Sequence, residues 1–349
     1  MTLPCGLMLW YEHSNQVKET MHKTGSPRLF VFRRLATRFV GLIIAALVAA
    51  IIVGCAKLGY LTNAVFSPPD DYTISLLGED RLVYTFDSGE TSPHSLFFFI
   101  TGSGCHSYRY YLNSYLEDLG PGYRVLALQK KHLKGMASGR KCPRAFHEYN
   151  TWPNWIKDQS AFVKTVLKQT SFTPKHVVIM GVSEGADTAM MVAKNVPEIT
   201  HVVLIAGGIE DPNAGPWGSF EKMYPMIDWQ KVERARAADP QSIDKTILGH
   251  PFRYWSGFRA HKDPLADYLS VKVPILMAHG EKDSNALLEN AGRMEAEFKK
   301  ANKRNLTLLV YPNSDHQLKE PNGKSHRPEF LRHVTKWVAQ SKVTSAEGI

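Results

Sequence analysis

The stretch HVVIMGVSEGA, residues 176–186, decides how the chain folds. Its first half, Val177 to Met180, is β-branched and apolar, which predicts a buried strand. The second half has the pattern G-x-S-x-G around Ser183 and leads into small and apolar residues typical of a helix. A serine on such a sharp turn needs neighbouring backbone packed close around it, and Gly181 and Gly185 leave that room. We therefore predict a strand, a strained turn that carries Ser183, and a helix.

Length and composition indicate a globular protein with one large α/β domain and appendages. The chain has 349 residues, of which 44% are hydrophobic and 21% charged, so wholesale disorder is excluded. The formal net charge is +9, and +5 of it falls in residues 1–57. The remaining charge gives a mildly basic surface and no footprint for a nucleic acid.

Residues 1–57 have the features of a membrane or export signal, with an N-terminal hydrophobic helix. The run FVGLIIAALVAAIIVGCA, residues 39–56, contains 18 residues without a charge. It is apolar on all sides, whereas a core helix would have a polar face. Arginines 28, 33, 34 and 38 precede it, so the positive-inside rule predicts that residues 1–38 are cytoplasmic. We expect the folded domain on the periplasmic or extracytoplasmic side of the cell membrane.

Two versions of this signal remain open. In the first, the apolar helix stays in the membrane as a signal anchor. In the second, Ile52-Val53-Gly54-Cys55 resembles the bacterial lipobox, and Cys55 would become a lipid-modified N-terminus. The distance from Met1 is long for a signal peptide, unless translation starts at Met21. Both versions tie the protein to a lipid surface.

After a predicted linker at residues 58–71, strands and helices alternate over residues 72–340. The predicted strands are 72–77, 82–86, 96–100, 123–128, the strand before Ser183, 201–206, 274–278 and 306–311. The predicted helices are 155–168, the helix after Ser183, 285–300 and 328–339. The first two strands form a hairpin, and the alternation that follows predicts a mostly parallel sheet with helices on both faces. Residues 341–349 have the composition of a loose tail.

Residues 209–270 interrupt this alternation. The segment is rich in proline and in aromatic residues, among them those at positions 217, 220, 224, 229, 254, 255 and 258. It is too long for an ordinary loop and too apolar for a flexible linker. We predict a partly helical, aromatic-rich cap that is inserted into the main domain and lines a substrate pocket. The alternative is a structural excursion that takes no part in binding.

Four groups that could take part in catalysis follow predicted strands. Ser183 follows the strand at 177–180, Asp283 follows 274–278, His316 follows 306–311, and Thr101-Gly102-Ser103-Gly104 follows 96–100. Because such groups gather at the carboxyl edge of a parallel sheet, we expect all four to meet there.

In these motifs the chain resembles the α/β-hydrolase family, over residues 72–340. The motifs are GVSEG at 181–185, HGEKD at 279–283, NSDH at 313–316 and TGSG at 101–104. The resemblance implies the α/β-hydrolase fold and a triad in the chain order Ser183, Asp283, His316. The TGSG loop departs from the family, where many members have His-Gly. Its backbone donors survive, but the substrate class becomes harder to infer.

Acyl transfer by a serine needs a base for its proton and donors for the oxyanion, and each candidate residue fits one of these roles. His316 would take the proton of Ser183 during attack on a carbonyl and return it to the leaving group. Asp283 would hold the imidazole in the useful tautomer. The oxyanion would be bound by the backbone N–H of Glu184 and by one from the Gly102 loop, for which we favour Ser103.

Other polar residues near these strands offer weaker alternatives. Asp211 follows the strand 201–206, where some family members place the acid. Asp315 is adjacent to His316 and is expected to be solvated. His106 and His279 are expected to be structural or to line a pocket. The sequence has no metal-ligand spacing, no G-x-G-x-x-G and no P-loop, so we expect neither a metal nor a cofactor.

Two of the four cysteines, Cys5 and Cys55, fall in the signal region. Cys105 and Cys142 follow the strands 96–100 and 123–128, so both should lie near the same sheet edge. In an oxidising compartment this predicts a disulfide beside the site. Two free buried thiols are the alternative.

We therefore expect an exported, membrane-tethered serine hydrolase. It would cleave the carboxylic ester of a small-molecule or lipid-like substrate through an acyl-enzyme at Ser183. A peptidase or amidase, or an acyltransferase, would use the same triad, so these remain open. A non-catalytic binding protein is disfavoured, because it has no need to keep the serine, acid, histidine and oxyanion loop together.

Overall fold

The structure is a computed structural model that describes residues 64–89, 92–137, 139, 141–211, 213–260 and 264–341. The predicted signal at 1–57 with Cys55, the first part of the linker and the tail beyond residue 341 lie outside these residues. Within the described ranges, no helix has both the length and the apolar character to cross a membrane.

A single twisted sheet forms the centre of the molecule. The strands are β1 Asp70–Leu76, β2 Glu79–Asp87, β3 Ser95–Ile100, β4 Tyr123–Leu128, β5 Val177–Val182, β6 His201–Ile205, β7 Thr246–Ile247, β8 His250–Pro251, β9 Ile275–Gly280 and β10 Leu306–Tyr311. Eight of these described strands join in the order β1-β2-β4-β3-β5-β6-β9-β10. β1 and β2 form the predicted hairpin, and β2 pairs antiparallel with β4. All pairs from β4 to β10 are parallel. The predicted mostly parallel sheet is confirmed.

Helices cover both faces of this sheet. They are α1 Leu112–Leu116, α2 Arg144–Tyr149, α3 Trp152–Gln169, α4 Glu184–Asn195, α5 Ser219–Met223, α6 Trp229–Ala238, α7 Phe252–Arg259, α8 Leu265–Ser270, α9 Leu288–Lys300 and α10 Arg327–Gln340. On one face, α3, α4 and α9 pack with the sheet into one apolar core. On the other face, α1 and α10 complete a second core. The result is the α/β-hydrolase fold with three layers.

The sequence of β3, SLFFFI, shows why the sheet needs two cores. All six residues are buried, and successive side chains of a strand point to opposite faces. Phe98 therefore packs with α3 in the first core, where its ring meets that of Phe162 edge to face at 5.6 Å. Phe97 and Phe99 pack in the second core. A strand that is apolar at every position is stable only between two such layers.

The segment between β6 and β9 contains α5 to α8 and the small antiparallel pair of β7 and β8. Its aromatic side chains pack mainly on one another. Trp217, Trp229, Tyr254 and Trp255 are all buried in one cluster. These four residues form the core of the insertion itself, and the pocket-lining role of the segment stays a prediction.

Candidate active site

Ser183 occupies the turn between β5 and α4 in a conformation that is rare for any residue except glycine. Its backbone angles are φ 56° and ψ −128°. For a residue with a Cβ atom these angles are strained. The Ser183 N–H donates to the carbonyl of Ile205 at 2.9 Å, which ties the turn to β6. The side chain makes no capping hydrogen bond to α4, so its hydroxyl is not used to stabilise the helix.

The two glycines of G-x-S-x-G are required because the neighbouring backbone leaves no room for a side chain. A Cβ atom on Gly181 would lie 1.9 Å from the carbonyl oxygen of Gly185, and a Cβ on Gly185 would lie 2.3 Å from that of Ile100. Both distances are far shorter than any real Cβ contact. The close backbone packing expected from the sequence is present on both sides of Ser183.

Asp283 and His316 are joined by a hydrogen bond. The Nδ1 atom of His316 lies 2.8 Å from Oδ2 of Asp283. The other carboxylate oxygen accepts from the N–H groups of Asn285 at 2.8 Å and Ala286 at 2.9 Å. With Nδ1–H donating to the carboxylate, the Nε2 atom of a neutral His316 is left to accept a proton.

The environment of Asp283 favours its charged form. The carboxylate side chain is fully buried, at 0% exposure, and that of His316 is 14% exposed. Burial by itself raises the pKa of Asp283, but the His316 ring and the two backbone N–H groups outweigh it, and the net pKa is below its ordinary value. The acid is therefore ionised at neutral pH, as required to orient and stabilise an imidazolium.

Sheet order brings the three candidate residues to one edge. Ser183 follows β5, Asp283 follows β9 and His316 follows β10, and only β6 separates β5 from β9 within the described sheet. No hydrogen bond joins His316 to the Ser183 hydroxyl among the described residues. This contact is often long in a free enzyme and tightens when substrate binds.

The competing aspartates have other partners. Asp211 accepts from Arg293 at 2.9 Å and from the N–H of Asn213. Asp315 is exposed and caps its own turn, accepting from the N–H groups of Gln317 and Lys319. The structure therefore pairs His316 with Asp283 and leaves Asp211 in a surface ion pair.

The TGSG loop lies directly against Ser183. A Cβ atom on Gly102 would lie 3.0 Å from Cβ and 3.5 Å from Oγ of Ser183. The N–H of Thr101 is already used, because it donates to the hydroxyl of Tyr108 at 2.9 Å. The N–H groups of Gly102 and Ser103 remain as candidates for an oxyanion. So does that of Glu184, which opens α4 and has no acceptor within the helix.

A model of the prolyl oligopeptidase family (Peptidase_S9) matches residues 139–342, more than half of the chain. The chain belongs to the prolyl oligopeptidase family. The matched region contains Ser183, Asp283 and His316, and it begins after the TGSG loop. As a member of this family with the α/β-hydrolase fold, the protein is a serine hydrolase.

Solved structures share the fold at low sequence identity. Acylaminoacyl peptidase from Pyrococcus horikoshii has a TM-score of 0.53 and 12% identity, with coverage of 80% of this chain and 43% of that chain. Est1E from Butyrivibrio proteoclasticus has a TM-score of 0.53 and 16% identity, with coverage of 77% of this chain and 98% of that one. A 2,6-dihydroxy-pseudo-oxynicotine hydrolase has a TM-score of 0.53 and 14% identity, with coverage of 84% and 74%. This chain thus spans less than half the length of the peptidase. No curated protein sequence matches it.

In this member of the prolyl oligopeptidase family, the residues around the TGSG loop include two that sequence reasoning missed. Lys130 follows β4 and donates from Nζ to the carbonyl of Gly102 at 3.0 Å. Tyr254, from α7, donates to Oε2 of Glu184 at 2.6 Å. The strand-end rule that found Ser183 also applies to Lys130, which stands two residues after Leu128. No sequence signal places Tyr254 at the site.

The two histidines near the site have structural surroundings. His279 is fully buried in β9, and burial lowers its pKa, while the neighbouring Gly280 carbonyl opposes the shift. His106 packs against Gly139, where an added Cβ would meet its ring at 2.2 Å. Burial likewise lowers the pKa of His106. Within the described residues, no group of three potential ligands could hold a metal ion.

Cys105 and Cys142 form a disulfide in the structure, with their Cα atoms 5.6 Å apart. Cys105 follows the TGSG loop and Cys142 precedes α2. Around them, Leu133 and Phe146 complete a small apolar cluster. The bond therefore braces the segment that follows the TGSG loop.

Proposed function

We propose that this serine hydrolase cleaves a carboxylic ester through an acyl-enzyme on Ser183. The Ser183 oxygen attacks the ester carbonyl while His316 Nε2 takes its proton. The carbonyl electrons move onto the oxygen, and the N–H groups of Glu184 and Ser103 bind that oxyanion. The bond to the alcohol then breaks, and the alcohol leaves with the proton from His316. Water repeats the sequence on the acyl-enzyme and releases the carboxylic acid.

The observation that supports an ester is that the carboxylates around the Ser183 turn already have partners. Glu184 accepts from Tyr254, Asp187 accepts from Tyr268 at 2.8 Å, and Asp283 binds His316. A peptidase that holds a charged peptide N-terminus needs a carboxylate that is free to pair with it. Neutral acyl substrates need none, so this arrangement favours an ester over an N-terminal peptide.

The neighbouring structures are compatible with either leaving group. The esterase Est1E is matched over nearly its whole length, and the acylaminoacyl peptidase over less than half of its own. An internal peptide bond therefore remains the second candidate, because the same triad serves it with an amine as leaving group.

The test begins with a fluorophosphonate probe and intact-protein mass spectrometry. We expect a single adduct on Ser183 that is lost in Ser183→Ala and strongly reduced in His316→Ala. A well-folded wild-type protein that forms no adduct would contradict an activated serine. Substrate class follows from alkyl esters and a peptide library under the same conditions. Peptide cleavage with a kcat/KM equal to or above that of the best ester would overturn the ester assignment and keep the hydrolase.

We also propose that the enzyme is exported and tethered to the cell membrane through residues 39–56. The charge pattern before this segment supports the orientation. The Cys105–Cys142 disulfide supports an oxidising compartment, where such bonds persist. In spheroplasts, whose cytoplasmic membrane is intact and whose outer layers are opened, added protease should digest the folded domain. Protection of the domain until the spheroplasts are lysed would contradict this proposal.

A further inference from the structure

A buried chain of polar contacts lies directly behind the oxyanion loop. The Lys130 side chain is 2% exposed and that of Glu184 is 5% exposed. The Nζ atom of Lys130 lies 3.0 Å from the Gly102 carbonyl and 3.6 Å from Oε1 of Glu184. Tyr254 donates to the other oxygen of this carboxylate at 2.6 Å. The chain therefore runs from the oxyanion loop through Lys130 and Glu184 to α7.

Stability alone does not account for this pair. Removing a lysine and a glutamate from water is costly, and apolar residues of similar size serve a core equally well. The ammonium and the carboxylate form an ion pair at 3.6 Å, which is longer than a hydrogen bond, and Oε1 of Glu184 has no hydrogen-bond partner among the described residues. Burial lowers the pKa of Lys130, and the Glu184 carboxylate opposes that shift. The shortest contact of the ammonium is its hydrogen bond to the Gly102 carbonyl. The main effect of burying Lys130 is therefore to hold this carbonyl in place.

The Gly102 carbonyl belongs to the same peptide unit as the N–H of Ser103. In a planar trans peptide the C=O and N–H bonds point in opposite directions. A carbonyl held by Lys130 on one side therefore directs the Ser103 N–H to the other. Gly102 itself lies against Ser183, so the direction of this N–H matters at the nucleophile.

We propose that Lys130 is a positioning residue for the oxyanion site. Its ammonium fixes the Gly102–Ser103 peptide so that the Ser103 N–H is presented to the developing oxyanion. Glu184 supplies the second N–H from its backbone and holds Lys130 with its side chain, so one residue links both donors. Tyr254 fixes that side chain from the inserted segment. This inference rests on the proposed acyl-transfer function at Ser183.

The test compares the wild type with Lys130→Met, with Lys130→Met/Glu184→Gln, and with Lys131→Met as the matched control. Lys131 is the adjacent lysine and pairs with Glu79 at 2.6 Å, away from the loop. The readouts are kcat and KM for the best ester, the affinity for a trifluoromethyl ketone, and urea unfolding. Loss of one oxyanion donor typically lowers kcat by about 10²- to 10³-fold. Misdirection of one donor should therefore lower kcat by about 10- to 100-fold.

We expect Lys130→Met to lose kcat with little change in KM, because the oxyanion forms only in the transition state. Affinity for the ketone should fall in parallel, since its adduct carries the same charge. The double variant removes the unpaired buried carboxylate, so it should regain stability but not kcat. Lys131→Met should keep the stability and the kcat of the wild type.

Recovery of kcat in the double variant would overturn the inference, because the loss would then come from an unpaired Glu184. Unchanged kcat in Lys130→Met would also overturn it. If Lys130→Met does not fold, the double variant decides the matter by itself. If the wild type reacts with fluorophosphonate, the proposed function stands, and a failed result with Lys130→Met counts only against the inference about Lys130. If the wild type does not react, the proposed function and the inference about Lys130 both fail.

Discussion

Replacement of Ser183 by glycine should stabilise the protein while it abolishes catalysis. Ser183 holds φ 56° and ψ −128°, angles that glycine adopts without a steric penalty. The same chain uses glycine elsewhere in this conformation, since Gly218 precedes α5 with φ 55° and ψ −130°. The serine is therefore kept at position 183 for its hydroxyl, against the preference of the backbone.

The size of the effect follows from three opposing contributions. Strain at a residue in such a region is about 1–3 kcal/mol. The gain from relieving this strain is reduced by about 0.5–1 kcal/mol, because glycine loses more conformational freedom on folding than alanine does. Loss of a half-buried Cβ removes at most about 0.8 kcal/mol of apolar burial. We expect Ser183→Gly to be more stable than Ser183→Ala by about 1 kcal/mol, which corresponds to about 2–4 °C in Tm.

The comparison with Ser183→Ala isolates the backbone. Both variants lack the hydroxyl and should be inactive, but alanine retains the strained Cβ. Equilibrium unfolding in urea of the full-length chain, with the same detergent for each variant and tryptophan fluorescence as the signal, gives both free energies of unfolding. Equal m-values would show that the same surface unfolds in each variant.

A Ser183→Gly variant that is no more stable than Ser183→Ala would refute the argument. It would mean that the turn relaxes when the side chain is absent, or that contacts of the serine Cβ offset the strain. An increase well above 3 kcal/mol would also disagree, because it exceeds the strain that one residue stores.

Three further predictions concern the same edge of the sheet. Asp283→Asn should lower kcat by about 10³-fold or more by favouring the wrong tautomer of His316. Because the pKa of Asp283 is lowered in the folded state, its stabilisation is present above about pH 4 and is lost as pH falls through the folded pKa, so this acid limb of a stability–pH profile should flatten in the variant. Gly185→Ala should prevent stable folding, because its Cβ would lie 2.3 Å from the Ile100 carbonyl oxygen; a circular-dichroism melt equal to wild type would contradict this. Cys105→Ala/Cys142→Ala opens a loop with a sequence separation of 37 residues and should lower the free energy of unfolding by about 4 kcal/mol, with wild type in reductant as the control.

Much of the fold is predictable from the sequence, because its strands are short, mostly apolar runs bounded by polar and turn residues. The bounds of β4 and β10 agree with the prediction to the residue. Helix starts agree less well. α3 begins at Trp152, three residues earlier than predicted, with a proline in its first turn. α9 begins at Leu288 and not at residue 285, since Asp283 accepts from the N–H groups of Asn285 and Ala286 and holds them in a turn.

The candidate site, like the fold, was predictable only in part. Residues at strand ends were identifiable, because chain order and alternation place them at one edge. The contacts behind them were not. A Lys-Lys pair suggests a solvated surface, yet the Lys130 side chain is 2% exposed while its neighbour Lys131 remains at 17%. Its surroundings there include Glu184 and the Trp155 ring, which lie elsewhere in the sequence. The internal packing of the aromatic insertion was not predictable for the same reason, since only the three-dimensional structure shows that its tryptophans contact one another.

The path of the chain around the insertion has an evolutionary consequence. β6 and β9 are direct neighbours in the sheet, with Val202 opposite Ile275, although the whole insertion separates them in sequence. The chain therefore leaves and re-enters the sheet at adjacent strands. An exchange of everything between them leaves every strand register, and hence the positions after β5, β9 and β10, as they are. The segment can therefore be replaced while Ser183, Asp283 and His316 keep their places in the fold, provided that the new segment offers Glu184 a partner equivalent to Tyr254.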